Sequence, residues 1–248
     1  MFHLAKTLRT VFCLAFLTCL AGTGCDEGAD RSGKPEPKPK PPAGKKVRVG
    51  DNVYLEVTGT RRRVLVTAQV CLRKGPLEML LTRKNKKEHE AILSAALDAR
   101  KIHEALVLAN AKEGEPVRYL PKFRPASGTT IKVTLVYEDK QGVKKTVNAR
   151  SWLKNTKTGK ELDCDWVFAG SMLVENPLDK TAPKFYLAND GDLICVSNFE
   201  SALLDLPIKS SKDDADRGYE AWEDRIPPVG TEVTVILEPV IAEKPKKK

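Results

Sequence analysis

Carboxylate, amide and hydroxyl side chains cluster in two short stretches of the second half of the chain. "DCD" covers residues 163–165 and "DGDLICVSN" covers residues 190–198. Carboxylates that gather in a cleft can act as a general acid and base or bind Ca²⁺, although the EF-hand spacing is absent. The ordinary alternative is that such groups hydrogen-bond turns and strand ends. The predicted ligand-site residues are His89, Asp165, Asp192, Ser197 and Asn198.

No common nucleophile, metal or nucleotide motif accompanies these residues. The patterns G-x-S-x-G, S-x-x-K, G-x-G-x-x-G and the P-loop are missing. "HEA" at His89 begins like H-E-x-x-H, but Leu93 stands where the second histidine is required. A zinc shell built from His89, His103 and nearby carboxylates would lack the closely spaced ligand pairs typical of zinc sites. The sequence therefore predicts no metal and no cofactor, and it leaves catalytic residues unknown.

Three cysteines lie in the central part of the chain, namely Cys71, Cys164 and Cys195. Cys71 and Cys195 stand among apolar strand residues, which predicts small buried side chains. Asp163 and Asp165 flank Cys164, and their charges would raise the pKa of its thiol and make it a poor nucleophile. An odd number of cysteines leaves at least one free thiol in an oxidising compartment. The sequence does not decide whether Cys164 and Cys195 form a disulfide, because their distance is not visible in it.

The N-terminus is typical of an export signal. Positive residues precede an apolar run at residues 11–21, which suits the core of a signal peptide and is shorter than the ~20 residues of a transmembrane helix. Small residues then precede Cys25. We predict a signal peptide over residues 1–24 and lipid attachment at Cys25, which would hold the protein on a membrane. Cleavage by an ordinary signal peptidase would instead give a secreted protein with a free Cys25.

Both ends of the mature chain are basic and poor in apolar residues. Residues 25–46 are rich in lysine, proline and glycine and predict a disordered tether, and residues 240–248 predict a basic disordered tail. The whole chain has a formal charge of +9, whereas residues 50–239 hold 29 Lys and Arg against 28 Asp and Glu. Nucleic-acid binding needs a basic face on the folded domain. We therefore expect no nucleic-acid partner.

Alternating apolar residues predict several strands between these ends. Residues 61–72 and 231–239 alternate with a period of two. "KQG" at residues 140–142 marks a hairpin between two further strands. Residues 77–82 are expected to return antiparallel to the strand at residues 61–72.

Helices are expected at few positions. Asp98 is predicted to cap a helix that runs to Ala109. Residues 199–206 and 218–226 predict further short helical segments. Many hairpin-linked strands with two or three short helices predict an α+β fold with a mainly antiparallel β-sheet, in one domain over residues 47–239.

Three stretches of the chain carry a resemblance to a known family. They are "VCLRKGPLEMLLTRKNKKEHEAILSAALDARKIHEALVLANAKEGEPV", "LDCDWVFAGS" and "DGDLICVSNFESALLDLPI". Together they resemble the YdjY-type domain of bacterial exported lipoproteins, especially those of planctomycetes, over residues 47–239. The resemblance implies no established activity. Some relatives bind a 4Fe–4S cluster, but this chain has no C-x₂-C-x₂-C run to support that property.

Two functions from different classes remain after these observations. The first is an exported, lipid-anchored envelope protein whose domain binds a protein, polymer or small ligand without catalysis. The second is an exported enzyme or redox partner that uses the region of Asp165, Asp192 and Cys195. Convergence of the predicted site residues in one pocket would favour the enzyme, and their dispersal into turns would favour the binding protein.

Overall fold

The structure, a computed structural model, describes residues 44–175, 178–209 and 218–241. The α-helix of this part of the chain is α1 (Ala99–Leu108). The strands are β1 (Lys45–Gly50), β2 (Val53–Thr58), β3 (Arg61–Val70), β4 (Met79–Arg83), β5 (Ala91–Ala95), β6 (Thr130–Glu138), β7 (Lys144–Asn148), β8 (Leu153–Asn155), β9 (Trp166–Phe168), β10 (Leu173–Val174), β11 (Phe185–Tyr186), β12 (Ile194–Cys195), β13 (Leu204–Asp205), β14 (Tyr219–Ala221) and β15 (Glu232–Pro239). Short 3₁₀ helices occupy Glu88–Glu90, Ala149–Trp152, Leu187–Asp190 and Glu223–Arg225.

Eight of these strands close into a barrel. Hydrogen-bonded neighbours follow the order β3, β15, β6, β9, β13, β12, β4 and β5. The pairs Gln69↔Ser94 and Val70↔Leu93 then join β5 back to β3. The pairs β4–β5 and β12–β13 are parallel, and the other neighbours in the ring are antiparallel. Because the ring closes on itself, its strands leave no open sheet edge between them.

The predicted fold class is therefore wrong. The chain forms a mostly β closed barrel with one described α-helix, rather than an α+β fold with a mainly antiparallel sheet and two or three short helices. Closure depends on the β3–β5 pairing, which joins residues about 24 positions apart through two residue pairs. Local apolar periodicity identifies strands and says nothing about which distant strands meet.

Alternation along the long strands builds the core. On β3, Val64, Val66, Ala68 and Val70 are buried. The inward residues of β15 and β6 follow the same period of two and belong to the same apolar cluster. The largest fully buried side chains include Trp166, whose indole N–H donates to the Cys195 carbonyl over 2.7 Å. A buried indole with its donor satisfied adds apolar contact area without an unpaired polar group.

The predicted second helix is also wrong, and the third is right only in a short 3₁₀ turn at Glu223–Arg225. Within residues 199–206, Leu204–Asp205 is the barrel strand β13, which pairs with β9 and β12. Within residues 218–226, Tyr219–Ala221 is the strand β14, which pairs with β8 before a short 3₁₀ turn. The strand at residues 77–82 does not return along β3, because β4 pairs with β5 and β12 instead. Pairing between distant strands overrides local helix and hairpin preferences at all three positions.

Two local predictions are confirmed. The Asp98 side chain accepts a hydrogen bond from the Arg100 backbone N–H and caps α1. "KQG" lies at the turn between β6 and β7, which pair antiparallel.

Cys71, Cys164 and Cys195 are free thiols, so Cys164 and Cys195 form no disulfide.

The predicted terminal segments fall largely outside the described residues. This holds for the signal peptide at residues 1–24, for Cys25, for residues 25–43 of the tether and for residues 242–248 of the tail, which all stay predictions. The last two residues of the predicted tether, Lys45 and Lys46, begin β1. In the part of the chain that is described, no helix has the length and apolar character needed to cross a membrane.

Candidate functional site

A basic loop and an acidic turn lie against each other beside the paired strands β4 and β12. The basic loop is residues 83–87, "RKNKK", after β4, and the acidic turn is residues 189–192, "NDGD", before β12. Arg83 Nη1 donates to the Asn189 carbonyl over 2.6 Å. Lys86 Nζ lies 3.3 Å from Asp190 Oδ1. These contacts hold the two segments together along their length.

Asn189 joins the acidic turn to the beginning of α1. Its Oδ1 accepts the Ala99 backbone N–H over 2.8 Å, and its Nδ2 donates to Asp98 Oδ1 over 3.0 Å. The Arg100 side chain donates hydrogen bonds from Nε and Nη2 to the Asp98 carboxylate. These hydrogen bonds are the main reason why the pKa of Asp98 falls to about 2. Side chains of the protein itself therefore satisfy the first N–H groups of α1.

A cavity of about 730 Å³ opens between these elements. Its size falls within the range of small-ligand pockets. Lys84 forms no ion pair among the described residues, whereas Lys101 lies 2.8 Å from Glu104. The lining holds more cations than carboxylates, although Arg100 is paired with Asp98 and Lys101 with Glu104. The charged lining residues are the cations Arg83, Lys84, Arg100 and Lys101 and the carboxylates Asp51 and Asp98.

Asp192, a predicted site residue, is buried at the end of the acidic turn. Lys87 Nζ lies 2.8 Å from its Oδ1, and Ser201 Oγ donates to its Oδ2 over 2.5 Å. Burial opposes the charge on Lys87 and is the largest single effect, but the hydrogen bond and the charge of Asp192, with smaller contributions from neighbouring groups, together raise the pKa of the ammonium group. Lys87 also lies 4.7 Å from the centre of the Phe199 ring. Both carboxylate oxygens are thus engaged by the protein.

Ser197 and Asn198 lie in the connection from β12 to β13, and both are buried. The Asn198 side-chain amide donates to Asp205 Oδ1 over 3.1 Å and to the Leu206 carbonyl over 3.2 Å. Burial is the largest cause that raises the pKa of Asp205 to about 7. Sequence reasoning missed Asp205, although an aspartate between leucines in "LLDLP" is a visible signal of a buried carboxyl group.

The contacts of the other two predicted site residues lie elsewhere. The His89 side chain is 77% exposed and lies 3.7 Å from Glu90. Asp165 lies 3.5 Å from Arg150, at the beginning of β9. The structure therefore groups Asp192, through Ser201, with the connection that carries Ser197 and Asn198, whereas His89 lies beside Glu90 and Asp165 beside Arg150.

The cysteines are poorly suited to thiolate chemistry. Cys195 is fully buried, and burial together with the charge of Asp192 raises the pKa of its thiol well above the ordinary value. Burial also raises the pKa of Cys71 and Cys164 to about 11. A thiol with such a pKa is almost entirely protonated at neutral pH, and the thiolate is the nucleophilic form.

A second polar cluster, centred on His103, was not predicted as a site. His103 Nδ1 lies 2.9 Å from Tyr186 Oη, and His103 Nε2 lies 3.0 Å from Glu113 Oε2. Tyr186 Oη donates to the Gly170 carbonyl over 2.7 Å. Because His103 belongs to α1 and Tyr186 to β11, this cluster fastens the helix to the second half of the chain. Only tertiary structure brings these separate segments together.

Comparison with known proteins identifies the family. Within the described ranges, no group of three or more His, Cys, Asp and Glu side chains is placed to hold a metal ion. Searches against curated proteins and against solved structures each found no match. The family model of the YdjY domain matches residues 55–238, which include the basic loop, the acidic turn and all of the cavity lining except Gly50 and Asp51. The chain therefore belongs to the YdjY domain family.

Proposed function

We propose that this protein is an exported, lipid-anchored envelope protein whose barrel binds a small acidic ligand and catalyses no reaction. Lipid on Cys25 would hold it on a membrane, with the barrel facing the periplasm or the cell surface. The observation that carries the binding role is the cavity of about 730 Å³ at the beginning of α1. Its four cations and two carboxylates favour a ligand that carries negative charge.

The cavity is formed by groups that are already fixed in position. Arg83 is held by hydrogen bonds to the Leu97 and Asn189 carbonyls, over 2.8 and 2.6 Å. Arg100 is held by Asp98. A site whose walls are fixed before the ligand arrives loses little conformational entropy on binding. Lys84, by contrast, forms no described ion pair and remains able to contact a ligand.

The alternative, an enzyme or redox partner that uses Asp165, Asp192 and Cys195, receives less support. The Asp192 carboxylate is engaged by Lys87 and Ser201, and the Asp165 carboxylate faces Arg150. Cys195 is fully buried with a raised thiol pKa. These three groups are held by the fold in arrangements that do not expose them to a substrate.

The binding role can be tested with defined anions and one matched pair of variants. Inorganic phosphate, citrate and N-acetylmuramic acid serve as probes, and the melting temperature is measured with and without each of them. A ligand that binds only the folded state raises the melting temperature. Lys84→Ala removes a cation from the cavity lining, whereas Lys160→Ala removes an exposed cation outside it.

We expect at least one anion to raise the melting temperature of the wild type and of Lys160→Ala, and to have a clearly smaller effect on Lys84→Ala. Equal stabilisation of all three proteins would place the anion outside the cavity. Absence of stabilisation by every probe would also contradict the proposal. The melting temperatures without ligand verify that the variants fold.

A further inference from the structure

Two neighbouring loops expose apolar side chains on one part of the surface. The first loop is residues 118–124, "RYLPKFR", which is closed by backbone hydrogen bonds between Arg118 and Arg124 in both directions. The second is the hairpin formed by β10 and β11. A groove of about 450 Å³ lies between them, lined by Tyr119 and Leu120 on one side and by Met172 on the other.

The apolar side chains of these loops are well exposed. Leu120 is 85% exposed at the tip of the first loop, and Leu173 on β10 is 59% exposed. Met172 and Phe185 are also among the exposed large apolar residues. We call Leu120, Met172 and Leu173 the apolar patch, because Met172 shares the groove with Leu120 and Leu173 follows Met172 in the chain. Exposed apolar surface of this kind is uncommon on soluble monomers and marks contact with a partner or a membrane.

Basic side chains border the apolar patch, and Glu200 adds one carboxylate to the lining of the groove. Lys122 and Arg124 are exposed on the first loop and form no ion pair among the described residues. Arg118 and Lys184 are also basic, but each lies near a carboxylate, Glu115 at 3.5 Å and Glu175 at 3.2 Å. Apolar side chains bordered by lysine and arginine suit a headgroup layer that is negatively charged above an acyl interior.

We propose that the apolar patch and its basic border contact an anionic phospholipid bilayer and orient the barrel on it. This inference builds on the lipid anchor proposed above, because the anchor keeps the barrel close to a membrane. From Cys25 to Gly44 the chain can reach at most about 60 Å, at roughly 3.3 Å per residue. That reach is comparable with the size of a domain, so it is compatible with direct contact between the barrel and the bilayer. Charge complementarity then selects the bilayer as the occupant of the patch.

The test removes the anchor so that the two proposals can fail separately. The chain from residue 25 onward is prepared with Cys25→Ala, which prevents lipid attachment and keeps every described residue. Its partition onto vesicles of mixed phosphatidylglycerol and phosphatidylcholine is measured by flotation. The patch variant is Leu120→Ser with Leu173→Ser. The control variant is Val143→Ser with Val229→Ser, since these valines are exposed outside the patch at 50% and 62%.

We expect the patch variant to partition about tenfold more weakly than the parent chain and the control variant to match it, because membrane burial of a leucine side chain is worth roughly this factor or more. Equal binding of all three chains would show that the basic ends alone attract the lipid. Absence of binding by the parent chain would also overturn the inference. Sedimentation measures the oligomeric state of both chains. If the parent chain is a dimer and the patch variant is a monomer, the patch is an interface between two copies of the chain, which would overturn the inference. Cys25-dependent fractionation in cells tests the anchor independently.

Discussion

Replacement of Asp205 by asparagine should stabilise the protein in mildly alkaline solution. Asp205 is fully buried on β13, where the Asn198 side chain and the Leu206 N–H both donate to its Oδ1, the latter over 2.7 Å. Burial raises the pKa of this carboxyl group from 3.8 to about 7, against the effect of these hydrogen bonds. Asparagine retains the shape and the Oδ1 acceptor but carries no ionisable proton.

The sign of the effect follows from proton binding in the two states. The unfolded chain releases the Asp205 proton near pH 4, whereas the folded protein keeps it until about pH 7. Between these values the folded state binds one proton more, so the free energy of unfolding decreases as the pH rises. A difference of about three pKa units corresponds to about 4 kcal/mol, at roughly 1.4 kcal/mol per unit. Below about pH 4 the carboxyl group is neutral in both states and the penalty disappears.

Urea denaturation of wild type and Asp205→Asn between about pH 4 and pH 8 measures this penalty. We expect the stability of Asp205→Asn relative to wild type to increase by about 4 kcal/mol across that range. Asp224→Asn, which changes an exposed carboxylate, serves as the control and should follow the wild type. A stability difference that stays constant with pH would show that the Asp205 carboxyl group titrates normally and would refute the reasoning.

Three further predictions test other parts of the account. Cys195→Ser places a hydroxyl in a fully buried position and should lower the free energy of unfolding by roughly 1–3 kcal/mol; an unchanged thermal melt would contradict its place in the core. Gly128 has φ +134°, and a Cβ there would lie 2.1 Å from the Phe168 carbonyl oxygen, so Gly128→Ala should cost more than about 2 kcal/mol. Gly142→Ala, where a Cβ meets open space, should cost clearly less in the same melts, and equal costs would refute the contact. Cys25→Ala should move the protein from the membrane to the soluble fraction of cells, and an unchanged distribution would show that lipid is not the anchor.

The sequence predicted those parts of the fold that depend on neighbouring residues. Asp98 caps α1 through the Arg100 N–H, two residues away, and "KQG" turns between β6 and β7. Both features are set by local backbone preference and side-chain chemistry. The closed barrel depends on the β3–β5 pairing and on two parallel pairs, β4–β5 and β12–β13. The strands of each parallel pair are joined by a connection that is too long for a tight hairpin turn. No local pattern identifies these partners, and the sequence therefore predicts an α+β fold with a mainly antiparallel sheet instead of a closed barrel.

The candidate site likewise combines local features that the sequence predicts with long-range contacts that it does not. Asp192 is a predicted site residue in the acidic turn, and the structure adds that Asn189 of the same turn holds the beginning of α1. The cavity, however, combines residues from the β1–β2 turn, the basic loop, the start of α1 and the acidic turn. Such a set is scattered through about 140 positions of the sequence, and only the folded barrel brings it together. Charge counts over residues 50–239 are nearly balanced and conceal the local excess of cations.

The central claim is that the cavity beside α1 holds a small acidic ligand. The most direct measurement is a crystal structure of the protein purified from the membranes of its own cells. The account predicts density for a negatively charged molecule in the cavity, in contact with Lys84 and close to Arg83 and Arg100. A ligand bound instead at the Lys87–Asp192 contact, with only water in the cavity, would contradict it.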